Sequence, residues 1–536
     1  MRLQLMIAVS AVASAHLLAQ FPPQIKNIVI IVQENRTPDN LFHFLSPACP
    51  IPRDASGLAA CTPYPVTDSC YNISPCGISN QSGTPVAVPL KARPFAGGSD
   101  PNHSHKGFSE MCDLDPVSFQ CRNDGAWRIA GQKYAYAYVA NTPVKNSNGA
   151  KGHLLDPYLQ LAEQFGWANY MFQSNQGPSF PAHQFIFSGT SALSAADDAN
   201  ATFVSGNPGQ NVSSVLSGCL APQGATNVLL SPVLDNRPTP GCTLYAGDSV
   251  QECVVTNTAL SYPSNPVGTF CATHQSMGDV LSPAAVSWRY YSSSPGVVWT
   301  APDAIQSICQ PAFVNPDGNP GSALECAGDE FKAHVDVANH GTDILRDISN
   351  CNLAQVSWVT PDGAWSDHAG PSNLYGPSWV AAVVNALGHN QKCPAGTAGA
   401  GQTYWQVSAI LITWDDWGGW SDHERPPLLS NLPCTSSNCP GDYGHGFRVP
   451  LLVVSAYTPA GYIDNTPHDF GSILRMIEGV NNLQEGVLGF ADLQATTDLH
   501  EFFSLSTPRE FSTVPAQKSA NYFLTDKAAA IQPDDD

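Results

Sequence analysis

Charge is scarce in this chain: of 536 residues only 12% are Asp, Glu, Lys or Arg, and only 23 are basic. Against 44 acidic residues this gives a net charge of −21. That excludes a broad nucleic-acid footprint, because phosphate backbones are held by clustered Lys and Arg. No tight Cys-x-x-Cys pair occurs, which removes the usual spacing of a cysteine zinc site. Beyond the N-terminal leader, no stretch approaches the roughly 18 apolar residues of a membrane span. What is plentiful is apolar content (43%), with 45 Pro and 43 Gly, the composition of a loop-rich globular protein. The length suits one large α/β domain or two to three smaller ones.

The first twenty residues, "MRLQLMIAVSAVASAHLLAQ", carry one Arg before an apolar core (Leu5 to Ala13) and small residues at Ala13 and Ala15. This is the pattern of a secretory signal peptide over 1–20. All 16 cysteines lie after it, many in Pro/Gly/Ser-rich stretches, as at Cys49, Cys61, Cys70, Cys76, Cys434 and Cys439. Loops stapled by disulfides in an oxidising compartment, and hence a secreted protein, are expected. The pairing is not legible from spacing.

Four short apolar runs end in polar residues: "NIVIIVQEN" (27–35), "QVSWVTPD" (355–362), "SAILITWDD" (408–416) and "VPLLVVSAY" (449–457). Continuous runs of this length suit strands buried on both faces, as in parallel sheets. Helical patterns alternate with them. "DPYLQLAEQF" (156–165) has Pro157 in its first turn, "SWVAAVVNALG" (378–388) has a Ser start and a Gly stop, and "HDFGSILRMIEGV" (468–480) carries one apolar face. The expected fold is a doubly wound α/β sheet, mostly parallel, with helices on both faces. Residues 45–150 and 190–330, rich in Cys, Pro, Ser and Asn, read as long disulfide-stapled insertions in one catalytic domain over 21–490. Residues 491–536 read as a closing segment with an acidic tail.

Ligands of open α/β sheets bind beyond the carboxyl ends of the strands. Two runs here end in acid or amide pairs, Glu34-Asn35 and Asp415-Asp416. If both strands are parallel and central, four oxygen-bearing side chains converge at one rim. Buried carboxylates repel unless a positive charge lies between them. A divalent cation meets that need, and a hard oxygen set suits Ca²⁺, Mg²⁺ or Mn²⁺ better than Zn²⁺. Read singly, each pair also fits an ordinary strand-end cap. Ser179, just after Gly177-Pro178, sits on a turn leading into a helix, where backbone N–H groups favour a phosphate. A metal near its oxygen would lower its pKa.

Taken in order, "IVIIVQENRTPDNLF", "DPNHSH", "LDPYLQLAEQFGWANYMFQSNQGPSFPAHQFIFSGTS", "LAQVSWVTPDGAWSDH", "ITWDDWGGWSDHERPP" and "RVPLLVVSAYTPAGYI…HDFGSILRMIE" make a sequence that resembles the bacterial phosphoesterase family. That family groups phosphatidylcholine-type phospholipases C with a secreted acid phosphatase on an alkaline-phosphatase-like fold, and the resemblance covers most of 25–485. It implies a phosphoric ester hydrolase with a serine nucleophile at Ser179 and a phosphoserine intermediate. It also implies metal ligands at Glu34, Asn35, Asp415 and Asp416, and active-site histidines at His103 and His368. His340, in "ANHGTD", is a further candidate. His103 and His368 would bind non-bridging oxygens and protonate the leaving alkoxide. Asp422 and His423 are expected to brace the turn at Gly418-Gly419.

The chain departs from the phospholipase pattern where those enzymes carry Pro-Asn-Arg after the nucleophile; here stands Pro181-Ala182-His183. A bidentate Arg clamp is lost, and His183 replaces it in part. The twin-Arg leader and the extra C-terminal β modules of many phospholipases are also missing from the sequence. These departures shift the expectation towards an acid-phosphatase-like or broader phosphoesterase. The substrate is expected to be a phospholipid head group or a small phosphomonoester, the former bringing transient contact with a membrane surface. A sulfatase-like reading needs Cys or Ser followed by x-Pro-x-Arg, and the Arg is absent after Ser179. A non-catalytic secreted binding protein on the same fold would have no need to keep Ser179 with the full acidic set.

Overall fold

The computed structural model describes residues 21–45, 69–115, 120–129, 132–207, 216–232, 240–245, 250–258, 267–315, 323–370, 373–397, 399–429 and 443–531. The leader, the acidic tail and Cys49, Cys61, Cys434 and Cys439 lie outside them.

All four apolar runs become strands of one eight-stranded sheet. Its members in chain order are β1 (Asn27–Gln33), β2 (Gly166–Ala168), β3 (Trp288–Tyr291), β4 (Val335–Asp336), β5 (Val356–Val359), β6 (Ser408–Trp414), β7 (Leu451–Ser455) and β8 (Tyr462–Asp464). In space they run β4-β3-β5-β1-β6-β7-β2-β8. Every residue of β1 and β6 is buried, so both faces of the sheet centre are covered. Burial drives this assembly, each fully buried Val, Ile or Leu contributing about 1.5–3 kcal/mol.

One strand departs from expectation. β7 runs antiparallel to both β6 and β2, while the other pairings are parallel. A run buried on both faces reads the same in either direction, so periodicity carries no sign of its polarity. The sheet is mixed α/β and mostly parallel.

The helices needed here are α1 (His105–Cys112), α2 (Asp156–Gln164), α3 (Ser179–Ser188), α4 (Gly376–Gly388) and α5 (Phe470–Val480). α4 begins two residues before the expected Ser378, because Pro377 fits its first turn; Tyr375 is the N-cap and makes no side-chain cap bond. α5 starts in a reciprocal capping box between Asp469 and Ser472.

The stretch 190–330 is not wholly an excursion, since it supplies β3 to the central sheet. The rest includes an antiparallel sheet of Phe203–Val204, Thr226–Pro232, Val250–Thr256 and Cys242–Leu244. Disulfides Cys112–Cys121, Cys219–Cys271, Cys242–Cys253 and Cys309–Cys326 staple the two irregular stretches, and Cys351–Cys393 ties a loop outside them. Every described cysteine is disulfide-bonded, Cys70 and Cys76 included. Near the C-terminus, Phe523 packs edge-on against Trp365 and Trp379, closing the sheet's flank.

Candidate active site

β1 and β6 pair in parallel with Gln33 opposite Trp414, so the residues that follow them emerge level at one rim. The ladder continues one step, as the Asp415 amide donates to the Gln33 carbonyl at 2.9 Å. Glu34 and Asn35 therefore stand beside Asp415 and Asp416, and all four are completely buried. Asn35 takes φ of +60°. Its backbone N–H donates to Asp415 Oδ1 at 3.0 Å, which holds the two strand ends together.

Ser179 is the first residue of α3, preceded by Pro178 as N-cap. Its Oγ lies 3.4 Å from Glu34 Oε2, 3.5 Å from Asn35 Oδ1 and 3.4 Å from Asp416 Oδ2. Segments 34–35, 179 and 415–416 are thus gathered at one point, as the sequence predicts. These contacts are long for O–H···O bonds, so the hydroxyl is crowded by acceptors without being tightly held by any.

The electrostatics of the cluster are unfavourable as it stands. Burial pushes the Glu34 carboxyl well above its ordinary range, and the neighbouring Asp415 and Asp416 push it further. Asp416 is raised by burial and then by Asp415. Asp415 Oδ2 is buried with no hydrogen-bond partner. An orphaned carboxylate oxygen among repelling acids fits a site built around a cation.

His183 lies one helical turn after Ser179 on α3 and so shares its face. Its Nε2 is 3.1 Å from Glu34 Oε1 and 3.8 Å from Asp415 Oδ2. Glu34, His183 and Asp415 each offer an atom within 4.8 Å of the others, a spacing that could hold a metal ion. Burial lowers the His183 pKa to about 4, which keeps the imidazole neutral near pH 7. On its other side Nδ1 is 3.5 Å from the Tyr290 hydroxyl, whose own hydrogen goes to the Trp299 carbonyl at 2.7 Å. Tyr290 therefore accepts from Nδ1–H, leaving the Nε2 lone pair towards the acids, the arrangement a metal ligand needs. The expected all-oxygen set thus gains a nitrogen donor. Sequence reasoning placed His183 with the phosphate; its four-residue spacing from Ser179 was the signal for a shared face.

His103 and His368 approach through Asp100, which sequence reasoning missed although it opens the motif "DPNHSH". Asp100 Oδ2 accepts from Asn35 Nδ2 at 2.9 Å and lies 3.1 Å from His368 Nδ1. His103 Nε2 is 3.4 Å from Asn35 Nδ2, and its Nδ1 is 3.0 Å from the Pro101 carbonyl. Burial disfavours charge on His103, but Asp416 and Asp100 outweigh it and raise its pKa. The His103 and His368 rings are 6.4 Å apart, nearly edge-on. His340 is elsewhere. Its Nδ1 pairs with Asp362 at 2.8 Å, and among the described residues no hydrogen bond or ion pair joins it to Ser179 or the acids. It follows β4 and its partner Asp362 follows β5, whereas the cluster is built on β1 and β6.

Gly418 and Gly419 form the turn after Asp416, at φ +58° and +70°. A Cβ on Gly418 would sit 2.4 Å from the Asn35 carbonyl oxygen, and one on Gly419 would sit 2.6 Å from that of Pro101. The turn exists so that the Asn35 and His103 segments can close over it. Gly418→Ala is expected to cost about 2–4 kcal/mol, combining left-handed strain with a backbone clash, and to lower activity through Asn35. Gly396→Ala, at φ +89° with no atom within 4 Å of its Cβ, is the control for strain without a clash; thermal melting of the two variants measures the difference.

Asp422 and His423 do not touch the glycine turn by hydrogen bond. Arg448 grips Asp422 through Nε and Nη2 at 2.8 and 2.9 Å, and His423 Nδ1 pairs with Asp39 at 2.7 Å. This buried network pins the loop after the cluster to the helix Pro38–Leu41 that follows Asn35. Beneath it Arg36 reaches Asp367 O, Asn40 Oδ1 and Phe95 O, all within 3.1 Å.

A mostly parallel α/β sheet with a buried hydroxyl and a cation-type acid cluster at its carboxyl rim defines a class of rim-site α/β proteins. The sequence profile of the Phosphoesterase family matches residues 25–484, and the chain belongs to that family. Non-hemolytic phospholipase C of Burkholderia pseudomallei (strain K96243) is 31% identical over 233 residues, covering 37% of this chain and 31% of that protein. Non-hemolytic phospholipase C of Pseudomonas aeruginosa is 24% identical over 213 residues, 35% of this chain and 29% of the relative. Phospholipase C B of Mycobacterium tuberculosis is 31% identical over 150 residues, 25% and 26% of the two. The chain spans between a quarter and a third of the length of these curated relatives. The solved structure of Ps i-CgsB with k-i-k-neocarrahexaose is 11% identical, covering 64% of this chain and 68% of its own, at a TM-score of 0.28.

Proposed function

We propose that this protein is a secreted phosphoric ester hydrolase in which Ser179 attacks phosphorus and carries a phosphoserine intermediate. The observation that supports it most is Ser179 Oγ within 3.5 Å of Glu34, Asn35 and Asp416 at the start of α3. Glu34, Asn35, Asp415, Asp416 and His183 would hold a divalent cation, which when bound lowers the pKa of a hydroxyl and neutralises phosphate charge. The oxygen donors suit Ca²⁺, Mg²⁺ or Mn²⁺, and the imidazole brings Zn²⁺ or Fe²⁺ into range.

Ser179 stands at the N-terminal end of α3, whose dipole would favour the negative charge of a phosphate carried there. His103, charged more readily than usual, offers a proton on the same side as Asn35, and His368 is oriented by Asp100. These two are the groups to donate to non-bridging oxygens and to the leaving oxygen. After the leaving group departs, water attacks the phosphoserine and the same histidines receive and return the proton. The fold is read as alkaline-phosphatase-like, with residues 21–490 as one catalytic domain. The disulfides and the leader pattern support export. No helix among the described residues is long and apolar enough to cross a membrane.

The test is release of p-nitrophenol by the purified protein from p-nitrophenyl phosphate, p-nitrophenyl phosphorylcholine and p-nitrophenyl sulfate, with and without chelator. Turnover of a phosphate ester that chelator abolishes and divalent metal restores is the expected result. Hydrolysis of the sulfate alone would overturn it, and no turnover of any substrate with metal present would leave a binding protein.

A further inference from the structure

Three donors converge on one oxygen of Asp100. Oδ2 accepts from Asn35 Nδ2 at 2.9 Å and from the Ala369 N–H at 3.4 Å, and it lies 3.1 Å from His368 Nδ1. Oδ1 is buried and has no hydrogen-bond partner among the described residues. Asp100, Asn35 and His368 are all buried, so bulk water does not compete for these contacts. The buried Arg36 guanidinium attracts Asp100 and offsets part of the cost of placing a carboxylate there.

The consequence for Asn35 follows from the chemistry of an amide. Its oxygen and nitrogen ends have nearly the same shape, so only their partners decide which way it faces. Oδ1 lies 3.5 Å from Ser179 Oγ, which also has oxygens of Glu34 and Asp416 at 3.4 Å. Facing so many acceptors with no cation between them, the nitrogen end would be preferred. The amide is held the other way from behind. A carboxylate accepts and does not donate, so Nδ2 must face Asp100. His103 Nε2, 3.4 Å from the same Nδ2, takes its second hydrogen while the ring is neutral and its own hydrogen points from Nδ1 to the Pro101 carbonyl at 3.0 Å. On His368 the same Asp100 oxygen fixes the ring hydrogen on Nδ1, being nearer than the Gly370 amide at 3.4 Å.

We infer that Asp100 is a positioning residue that, through Oδ2 alone, keeps the Asn35 oxygen turned towards Ser179 as a ready cation ligand and holds the His368 hydrogen on Nδ1. This rests on reading the Ser179 site as a cation-dependent phosphoesterase centre. One acceptor oxygen is enough for the task. Asp100→Asn therefore retains it, and Asp100→Leu, of much the same shape, loses it.

The test titrates the metal-stripped full chain with Mn²⁺, reading the free ion by electron paramagnetic resonance. It then measures p-nitrophenol release from p-nitrophenyl phosphate at saturating Mn²⁺. Asp100→Leu is expected to weaken Mn²⁺ binding about 10–100-fold and to depress kcat by a similar factor, the usual effect of removing a group that orients a metal ligand. Asp100→Asn should stay close to the wild type in both. A merely structural role would lower the melting temperature of Asp100→Leu and leave its Mn²⁺ affinity unchanged, and that outcome overturns the proposal. So does equal impairment of the two variants, which would make charge the requirement in place of a single oxygen. Should Asp100→Leu not fold, Asp100→Ala takes its place; failure of both to fold assigns Asp100 to stability alone and overturns the proposal. Absence of Mn²⁺ binding by the wild type overturns it too. No turnover by the wild type with Mn²⁺ bound would instead refute the phosphoesterase reading, while the Mn²⁺ titrations still decide the role of Asp100.

Discussion

Ser179→Ala is expected to abolish phosphate release, with a fall of roughly 10⁴-fold or more in kcat, the scale seen when a covalent nucleophile is removed. Among the described residues no other hydroxyl hydrogen-bonds to Glu34, Asn35 or Asp416. The fold should hardly notice, because the hydroxyl makes only contacts of 3.4–3.5 Å and its loss from a buried site leaves little unsatisfied. Release of p-nitrophenol beside a thermal melt checks both halves. Near-normal turnover by a folded variant would remove Ser179 from the nucleophile role.

The second large effect concerns the acid cluster, and its sign depends on the cation. With chelator present and at a pH above the raised pKa of the carboxyls, Glu34→Gln and Asp416→Asn should raise the melting temperature, because each then removes one charge from a buried group of repelling carboxylates. With metal present they should lower both the melting temperature and the activity, because a ligand is gone. Shifts on the order of 2–4 °C each way are expected. The pH dependence follows from linkage. The folded protein holds the Glu34 proton to a pH well above the ordinary 4.5, so the native state binds more protons than the unfolded chain. Stability of the metal-free protein is therefore present below pH 4.5 and lost as pH rises through the raised value. Glu34→Gln should flatten that fall. Melts in chelator at several pH values, with metal content by elemental analysis, measure it; identical slopes and unchanged metal content would refute the ligand assignment.

What the sequence disclosed, and what it hid, has a physical pattern. The strands β1, β5, β6 and β7 are legible because each is a short, mostly apolar and β-branched run, and α2, α4 and α5 because their faces and end signals agree. β7's direction is hidden because direction leaves no trace in hydrophobic order. β3 escapes notice because "WRYY" is short and carries Arg289, which finds Asp347 only in three dimensions. In the site, Glu34, Asn35, Asp415 and Asp416 stand out as polar residues ending apolar strands, a local contrast. Asp100, Tyr290 and Arg448 show no such contrast; their partners are distant in sequence, and only the fold reveals them. His340 misleads because a histidine near Gly and Asp looks the same whether it pairs with Asp362 or with a substrate.

The seam between β1 and β6 closes across most of the polypeptide, with the Asn35 amide bound to an Asp415 carboxylate 380 positions later. The two halves of the acid cluster are thus supplied by segments 380 positions apart. Any fragment stopping short of β6 keeps Ser179, Glu34, Asn35 and His183 but lacks Asp415 and Asp416, and so holds an incomplete cluster. Such long-range closure is slow, since loop entropy must be overcome before the contact is rewarded. On the proposed function, hydrolytic competence would therefore appear in a refolding experiment only once the β1–β6 seam has closed.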